Sequence, residues 1–245
     1  MNYLNTSGLV LRETAYKESS KILTVLTAGE GKLTVTAKGA LRKNSKTAAA
    51  TQQLAYSEMT LACSRDRWTL TEAGSVEQFI GLRSDLSLLA LGSYFAELAE
   101  AVADEDAPSP ELLPLCLNAL FALSEGLKEQ RLIKPAFELR LMSASGYTPL
   151  VTRCAVCGSE EPGRSLLDVS DGLLYCGGCA GTDGYPLGPG ALKAMRYILG
   201  CPSKKLFSFS LGGAALKELA AASEGHVFTH LERGFRTLDY YKGLL

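Results

Sequence analysis

Two Cys-x-x-Cys motifs, Cys154-Ala155-Val156-Cys157 and Cys176-Gly177-Gly178-Cys179, decide the fold of the segment that contains them. Each motif folds into a tight turn that directs two sulfur atoms towards one point, and two such turns supply the four thiolates that tetrahedral zinc prefers. Only eighteen mostly polar residues separate the motifs, which is typical of a hairpin with little core of its own. The sequence therefore predicts a zinc ribbon at about residues 150–186, with Cys154, Cys157, Cys176 and Cys179 as ligands.

The predicted zinc is structural, because four protein thiolates leave no coordination position open for water or substrate. Rubredoxin-like iron and paired disulfides are the alternatives for the same four residues. A thiol-redox enzyme is a further alternative, but a redox Cys-x-x-Cys motif opens a helix within a βαβ unit. The sequence around residues 154 and 176 does not have that pattern.

Length and composition are those of an ordinary globular protein. The chain has 245 residues, of which 47% are hydrophobic and 21% are charged, enough for one large domain or two small ones. The three other cysteines, Cys63, Cys116 and Cys201, lie in apolar surroundings, as expected for reduced thiols in a cytoplasmic protein. No signal peptide and no apolar run of membrane-spanning length is found, so we expect a cytoplasmic protein without a membrane segment.

Charge is distributed unevenly along the chain. The net charge is −1, but residues 1–80 carry ten basic and seven acidic residues, whereas residues 81–150 carry five and ten. Residues 31–57 contain no acidic residue and five basic ones: Lys32, Lys38, Arg42, Lys43 and Lys46. Such a segment on a near-neutral protein predicts one localised phosphate-binding surface.

The first third of the chain has the pattern of short β-strands. Five segments are rich in β-branched residues or alternate between polar and apolar residues: 8–12, 21–27, 32–38, 56–63 and 67–73. Gly29-Glu30-Gly31 predicts a hairpin turn, and residues 39–51 predict a loop without regular structure. Five strands with one long loop after the third favour an OB-type Greek-key barrel over residues 1–80, although other small barrels share this pattern.

Two aromatic residues are candidates for stacking on nucleic-acid bases. Trp68 shares a strand face with Leu70, which favours a role in the barrel core over base stacking. Tyr16 lies in a polar turn, so it is the better stacking candidate.

The rest of the chain has mainly helical periodicity. Helices are predicted at residues 85–103, 110–127, 131–145, 190–199, 211–222 and 226–240. The predicted fold class is α+β: an N-terminal OB-type barrel followed by an all-α domain, residues 81–245, with an inserted zinc ribbon. The acidic residues 104–106 are interpreted as a solvated turn, and His226 and His230 as exposed or capping histidines, because neither group has further metal ligands at suitable spacing.

Motifs for nucleotide hydrolysis and hydrolytic catalysis are missing from the sequence. Gly29-Glu30-Gly31-Lys32 lacks the first glycine of a phosphate-binding loop and the Ser or Thr after its lysine. Neither a nucleophile elbow nor a catalytic triad can be assembled. We therefore expect that the protein is not an enzyme.

Several motifs resemble the RecO family of bacterial recombination mediators. The N-terminal motifs are Ser7-Gly8-Leu9-Val10-Leu11-Arg12, Tyr16-Lys17-Glu18, Gly31-Lys32 and Ala37-Lys38-Gly39-Ala40-Leu41-Arg42-Lys43-Asn44-Ser45-Lys46. Gly146-Tyr147-Thr148-Pro149, leading into the first cysteine pair, extends the resemblance to the second half of the chain. The resemblance implies a barrel, a helical domain and an inserted zinc ribbon. Because some members lack the four cysteines, it also implies that the metal is part of the scaffold.

This resemblance implies a non-enzymatic DNA repair protein. Such proteins bind single- and double-stranded DNA, anneal complementary strands, act with RecR on DNA coated by single-strand binding protein (SSB), and help to load RecA. The cationic residues Lys32, Lys38, Arg42, Lys43 and Lys46, together with Tyr16, are the predicted DNA contacts. The slightly acidic composition differs from several basic members. A zinc-stabilised interaction adaptor that does not bind DNA is the alternative.

The resemblance also implies a site for the acidic, apolar C-terminal tail of SSB. Such a tail needs a hydrophobic slot flanked by cations. The end of the chain offers the required residue types: Arg233, Phe235, Arg236, Leu238 and Lys242. A buried structural role for the apolar residues is the alternative.

Overall fold

The computed structural model describes residues 2–105, 107–108, 110–179, 181 and 183–245. The chain forms two compact units: unit 1 is Met1–Glu125 with Phe235–Leu245, and unit 2 is Gly126–Gly234. These units are defined by their internal contacts, whereas the domain boundary predicted after residue 80 refers to segments that fold independently. That boundary therefore stays a prediction. The mixed α+β class is confirmed, with five strands in the N-terminal part and six helices in the described residues.

Five strands of unit 1 form a closed barrel with the neighbour order β1-β2-β3-β5-β4. They are β1 (Asn2–Tyr16), β2 (Ser20–Thr27), β3 (Lys32–Ala37), β4 (Tyr56–Ser64) and β5 (Arg67–Glu77). Strand β1 is long enough to pair with β4 through its first half and with β2 through its second half, and its register shifts between Val10 and Arg12. The parallel pairing of β3 with β5 closes the barrel.

The barrel core consists of the apolar residues that alternate along these strands. Leu33 and Val35 of β3 are buried together with Val25 of β2 and Leu61 of β4. Trp68 is partly buried and packs against this cluster, as predicted from the face that it shares with Leu70.

The segment between β3 and β4 is more ordered than predicted. Successive turns are closed by hydrogen bonds from Arg42 N to Gly39 O (3.1 Å) and from Ser45 N to Arg42 O (3.0 Å), and a 3₁₀ helix follows at Ala49–Thr51. Ala40 and Ala50 are buried at either end of these turns. The segment is therefore mostly polar, and the two small apolar residues Ala40 and Ala50 anchor it.

The helices are α1 (Leu86–Val102), α2 (Leu112–Ser124), α3 (Gln130–Ala144), α4 (Pro189–Gly200), α5 (Gly213–Leu231) and α6 (Arg236–Lys242). Asp85 caps α1 by accepting a hydrogen bond from Ser87 N (2.7 Å). Helix α6 belongs to unit 1 and packs on α1, where the rings of Tyr94 and Phe235 meet edge to face at 5.7 Å. None of the helices in the described part of the chain is long and apolar enough to cross a membrane.

The predicted helices at 211–222 and 226–240 are wrong in their boundaries. One continuous helix, α5, runs through the position of the predicted gap, and it ends where Glu232 adopts the left-handed conformation (φ 49°). Phe235 is extended, and α6 begins after it. Because Val227, Leu231 and Phe235 keep helical spacing across this break, the hydrophobic pattern could not reveal it.

Unit 2 combines α3, α4 and α5 with a three-stranded sheet. The strands are β6 (Ser165–Asp168), β7 (Leu173–Cys176) and β8 (Tyr185–Leu187), with β6 at the centre. The buried Lys134 of α3 forms salt bridges with Glu138 (2.7 Å) and with Glu224 of α5 (2.9 Å). Burial alone would lower the pKa of Lys134, but the two carboxylates raise it overall, so this buried cation is fully paired.

Candidate metal centre and nucleic-acid interface

The four cysteines of the two motifs come together at one end of the small sheet. Their sulfur atoms all lie within 4.8 Å of one another, and the Sγ atoms of Cys157 and Cys176 are 3.6 Å apart. A tetrahedral zinc ion with bonds of about 2.3 Å places its sulfur ligands about 3.8 Å from each other. Donor type, donor number and spacing therefore all fit zinc.

Backbone hydrogen bonds form the two turns that carry the ligands. In the first turn, Gly158 N donates to Cys154 O (3.0 Å), and the positive φ of Gly158 (73°) lets the chain leave the turn. In the second turn, Cys179 N donates to Cys176 O (3.0 Å). Ala155 N donates to Leu174 O (2.8 Å), which attaches the first turn to β7.

The thiols influence one another electrostatically. Hydrogen bonds from the backbone amides of Cys157 and Cys176 lower the pKa of the Cys154 thiol to about 6. The neighbouring thiols of Cys176 and Cys157 raise the pKa of the Cys179 thiol to about 12. Four thiolates at this spacing repel each other, so a bound cation is needed to keep them all deprotonated.

Arg196 of α4 attaches the first knuckle to the helices of unit 2. Its Nε atom donates to Val151 O (2.7 Å), and its Nη2 atom donates to Thr152 O (2.9 Å) and Glu160 O (2.7 Å). This role of Arg196 could not be predicted from the sequence, because a contact that spans more than thirty residues leaves no local pattern.

Four of the five predicted DNA-binding cations lie exposed in the segment between β3 and β4. They are Lys38, Arg42, Lys43 and Lys46, and none of them forms an ion pair within the part of the chain that the structure describes. We call residues 38–46 the cationic loop.

The cationic loop lies beside the β1–β2 turn. Leu41 N donates to Ser19 O (3.0 Å), and Gly39 N donates to Ser20 Oγ (3.4 Å). That turn follows Tyr16, whose side chain is 40% exposed, and Lys17 Nζ lies 5.2 Å from the centre of the Tyr16 ring. Lys17, which was not among the predicted DNA contacts, thus lies beside the predicted stacking residue Tyr16.

Lys32 is placed differently from the other predicted cations. Its Nζ atom donates to Glu100 O (2.9 Å) in the last turn of α1, and its backbone N donates to Asp104 O (3.0 Å). A cation at this position interacts favourably with the carbonyl end of the helix. The structure therefore gives Lys32 a partner within the protein, and the predicted contact of Lys32 with DNA would have to compete with this hydrogen bond.

The residues predicted for a partner peptide are divided by burial. Phe235 and Leu238 are fully buried, as the structural alternative predicts, whereas Arg233, Arg236 and Lys242 are exposed. The two apolar side chains do not line an open slot in this structure. Peptide binding by the three cations stays a prediction.

The histidine interpretation is wrong for His226. This residue is only 1% exposed, and its Nε2 atom lies 2.8 Å from Tyr147 O, so it is a core histidine. His230 is half-buried and stacks against the Tyr147 ring with centres 4.9 Å apart.

In the acidic segment 104–106, Glu105 pairs with Gly31 and Lys32 through isolated bridges, and Asp106 lies outside the described residues.

Comparisons with known proteins agree along nearly the whole chain. The family model for the N-terminal part of recombination protein O matches residues 1–79, and the model for its C-terminal part matches residues 83–239. The DNA repair protein RecO of Acetivibrio thermocellus is 34% identical over 246 residues, covering 100% of this chain and 98% of its own. RecO of Bacillus pumilus is 33% identical over 195 residues, covering 79% and 75%. The chain belongs to the RecO family of DNA repair and recombination proteins.

Proposed function

We propose that this RecO-family protein binds DNA through the cationic loop of its barrel and acts as a non-enzymatic mediator of recombination. The observation that carries the proposal is the cationic loop itself: four exposed cations without an acidic residue, fixed by hydrogen bonds beside Tyr16 and Lys17. An acid-free cationic surface on a chain with net charge −1 favours binding of a polyanion at this one place.

The side chains divide the contacts between phosphates and bases. The lysines act as point charges for phosphate oxygens, and the guanidinium of Arg42 binds a phosphate through two parallel hydrogen bonds. Tyr16 and the exposed Leu41 offer apolar surface to unstacked bases. Contacts of this kind do not read base edges, so both single and double strands bind with little sequence preference.

Salt dependence tests the proposed surface. If Lys17, Lys38, Arg42, Lys43 and Lys46 each neutralise one phosphate of a single strand, log affinity falls with log salt with a slope of about −3.5. This slope corresponds to roughly a hundredfold loss between about 50 and 200 mM salt. Combining Arg42→Gln with Lys43→Gln should flatten the slope by about 1.4 and weaken binding to all sequences alike.

Lys32→Gln is the matched control for this experiment. Because the Lys32 ammonium group already binds the end of α1, its loss should leave the salt slope nearly unchanged. A folded Arg42→Gln, Lys43→Gln protein with the wild-type slope would contradict the proposed site. The complete absence of DNA binding at low salt would instead favour the adaptor alternative.

The proposal includes RecR, the SSB tail and, indirectly, RecA as partners. The exposed cations Arg233, Arg236 and Lys242 suit the acidic residues of the tail. Annealing of complementary strands coated with SSB, measured with and without RecR, tests the mediator function directly. A reaction that is no faster with the protein than without it would overturn this part of the proposal.

The zinc in this proposal is structural, and the protein carries out no chemistry on DNA or nucleotides. When bound, the metal joins the two cysteine turns and neutralises their thiolates. The chain's own residues, through backbone hydrogen bonds and Arg196, orient the ligands and attach the ribbon to α4. We place the protein in the cytoplasm, where bacterial DNA is repaired.

A further inference from the structure

A second cationic stretch without acidic residues lies in unit 2. Residues 184–217 contain Lys193, Arg196, Lys204, Lys205 and Lys217 and neither Asp nor Glu. The remaining residues of unit 2, 126–183 and 218–234, carry seven basic and ten acidic residues. Positive charge is thus concentrated in one part of an otherwise acidic unit, as it is in the barrel.

The connection between α4 and α5 is held against α4 in a defined conformation. Tyr197 of α4 donates its hydroxyl hydrogen to Lys205 O (2.7 Å), and its ring lies 5.6 Å from that of Phe209. Tight turns are closed by hydrogen bonds from Lys205 N to Pro202 O (2.8 Å) and from Ser208 N to Lys205 O (2.9 Å). Leu206 is buried, so the backbone of the connection is anchored while the side chains of Lys204 and Lys205 are exposed.

Lys193 extends the same surface. It lies four residues before Tyr197 in α4, so both side chains are on the helix face that the connection follows. Neither Lys193, Lys204 nor Lys205 forms an ion pair within the described residues. Arg196 is excluded from the surface, because its guanidinium group binds three carbonyl oxygens of the ribbon.

We propose that Lys193, Lys204 and Lys205, with Phe207 and Phe209, form a second binding surface for single-stranded nucleic acid, the α4–α5 surface. The lysines neutralise phosphates, and the two half-buried phenylalanine rings contact bases. The inference rests on the proposed function of the barrel, and it adds a separate contact in unit 2.

The side chains of this surface fit nucleic acid better than an acidic peptide. Residues 203–210 contain two lysines, two phenylalanines and three serines, so phosphate and base contacts are available within a few residues of each other. An acidic peptide would need a slot for its own apolar side chains. Leu206, the aliphatic residue of this stretch, is turned inward and offers no such slot.

Two separate surfaces let one chain hold two strand segments at the same time. Native mass spectrometry of the full-length protein with an oligothymidylate of about ten nucleotides counts these segments directly, since a barrel of this type covers about 4–16 nucleotides. We expect two oligonucleotides per wild-type chain. We expect one for Lys204→Gln with Lys205→Gln, one for Arg42→Gln with Lys43→Gln, and none for the fourfold variant.

Lys128→Gln with Arg131→Gln is the matched control. It removes two cations from the same unit, but these residues flank Glu129 in an acidic part of the sequence, so the protein should still bind two oligonucleotides. In a salt titration, the Lys204→Gln, Lys205→Gln protein should have a slope that is flatter than the wild-type slope by about 1.4.

The two proposals fail in different ways. The proposal of the α4–α5 surface is wrong if the Lys204→Gln, Lys205→Gln protein is folded and keeps both the wild-type number of oligonucleotides and the wild-type salt slope. In that case, loss of an oligonucleotide from the Arg42→Gln, Lys43→Gln protein, the barrel variant, would still support the proposed function. If only the barrel variant is unaffected, the barrel proposal fails and the α4–α5 surface stands. Binding of a glutamate-rich peptide gives a further test. The assignment to nucleic acid is overturned if the Lys204→Gln, Lys205→Gln changes abolish binding of this peptide and leave oligonucleotide binding unchanged.

Discussion

At the scale of single residues, His226 shows how burial fixes a protonation state. Burial lowers its pKa, the hydrogen bond with Tyr147 O opposes this shift, and the neighbouring His230 ring, 4.3 Å away between centres, lowers the pKa further. The imidazole is therefore neutral in the folded protein at neutral pH. It fixes the chain at Tyr147, just before the ribbon.

The lowered pKa of His226 predicts acid sensitivity. An unfolded histidine titrates near pH 6.5, so the stabilisation is fully present above that pH and is lost as the pH falls towards the folded pKa. Each pH unit below 6.5 costs up to about 1.4 kcal/mol until the folded group also titrates. The free energy of unfolding, measured with urea at pH 7.5 and 5.5, should fall less between these pH values for His226→Gln than for wild type. The glutamine amide does not titrate and can still donate to Tyr147 O. Equal losses in both proteins would contradict this role.

Gly225 is a residue whose importance depends on one neighbour. A Cβ atom at this position would lie 2.2 Å from Cζ of Tyr185, which is in β8. Glycine in the middle of a helix is otherwise unfavourable by about 1 kcal/mol relative to alanine. The close approach of β8 explains why α5 contains a glycine here.

We expect Gly225→Ala to lower the free energy of unfolding by about 1–3 kcal/mol, because the new methyl group overlaps the tyrosine ring. In a Tyr185→Leu background the same change should be neutral or stabilising, since the overlap is removed and the helix propensity of alanine remains. A double-mutant cycle measured by urea unfolding gives the coupling between the two positions. Additive effects would show that the ring is not the cause.

At the scale of elements, the first cysteine knuckle of the ribbon is attached to α4 by one side chain, that of Arg196. The three carbonyl oxygens bound by Arg196 belong to residues on both sides of the first cysteine pair. One side chain thus holds both ends of the first knuckle against the helix.

Arg196→Met should loosen this knuckle while keeping most of the apolar stem. We expect faster transfer of zinc to a chelator and faster amide exchange in residues 150–161, with little change in α3 and α5. Arg153→Met is the control, because Arg153 is an exposed cation of the same loop. If both variants release zinc at the wild-type rate, Arg196 does not position the ligands.

The elements that the sequence predicted well are those with local signals. The alternation in residues 32–38 and the two Cys-x-x-Cys motifs depend on neighbours within a few residues, and β3 and the cysteine cluster were found where predicted. The break between α5 and α6 depends on a single left-handed residue, Glu232, within an unbroken hydrophobic pattern. Lys17 and Arg196 were missed because their positions depend on hydrogen bonds between segments far apart in the sequence.

At the scale of the whole molecule, the chain returns to its first unit at the end. Thr237 N donates to Glu97 (3.3 Å), and Phe235 packs on Tyr94, so α6 completes unit 1 after the chain has formed unit 2. Contacts over 140 residues leave no local sequence pattern. The arrangement makes unit 2 an insertion within unit 1 along the chain.

Because all four cysteines belong to unit 2, metal removal should act unequally on the two units. After chelation we expect faster amide exchange in β6, β7 and the first knuckle, because the four clustered thiolates would lose the proposed cation between them. The barrel strands, with Leu23, Val25 and Leu61 in their core, should keep their protection from amide exchange. The part of the DNA affinity that depends on Arg42 and Lys43 should therefore persist. Cys176→Ser should reproduce this pattern without chelator and lower the melting temperature of unit 2. Equal loss of protection from amide exchange in barrel and ribbon would mean that the metal stabilises the chain as one cooperative unit. If the barrel keeps its protection but the protein loses DNA affinity, the ribbon takes a direct part in DNA binding.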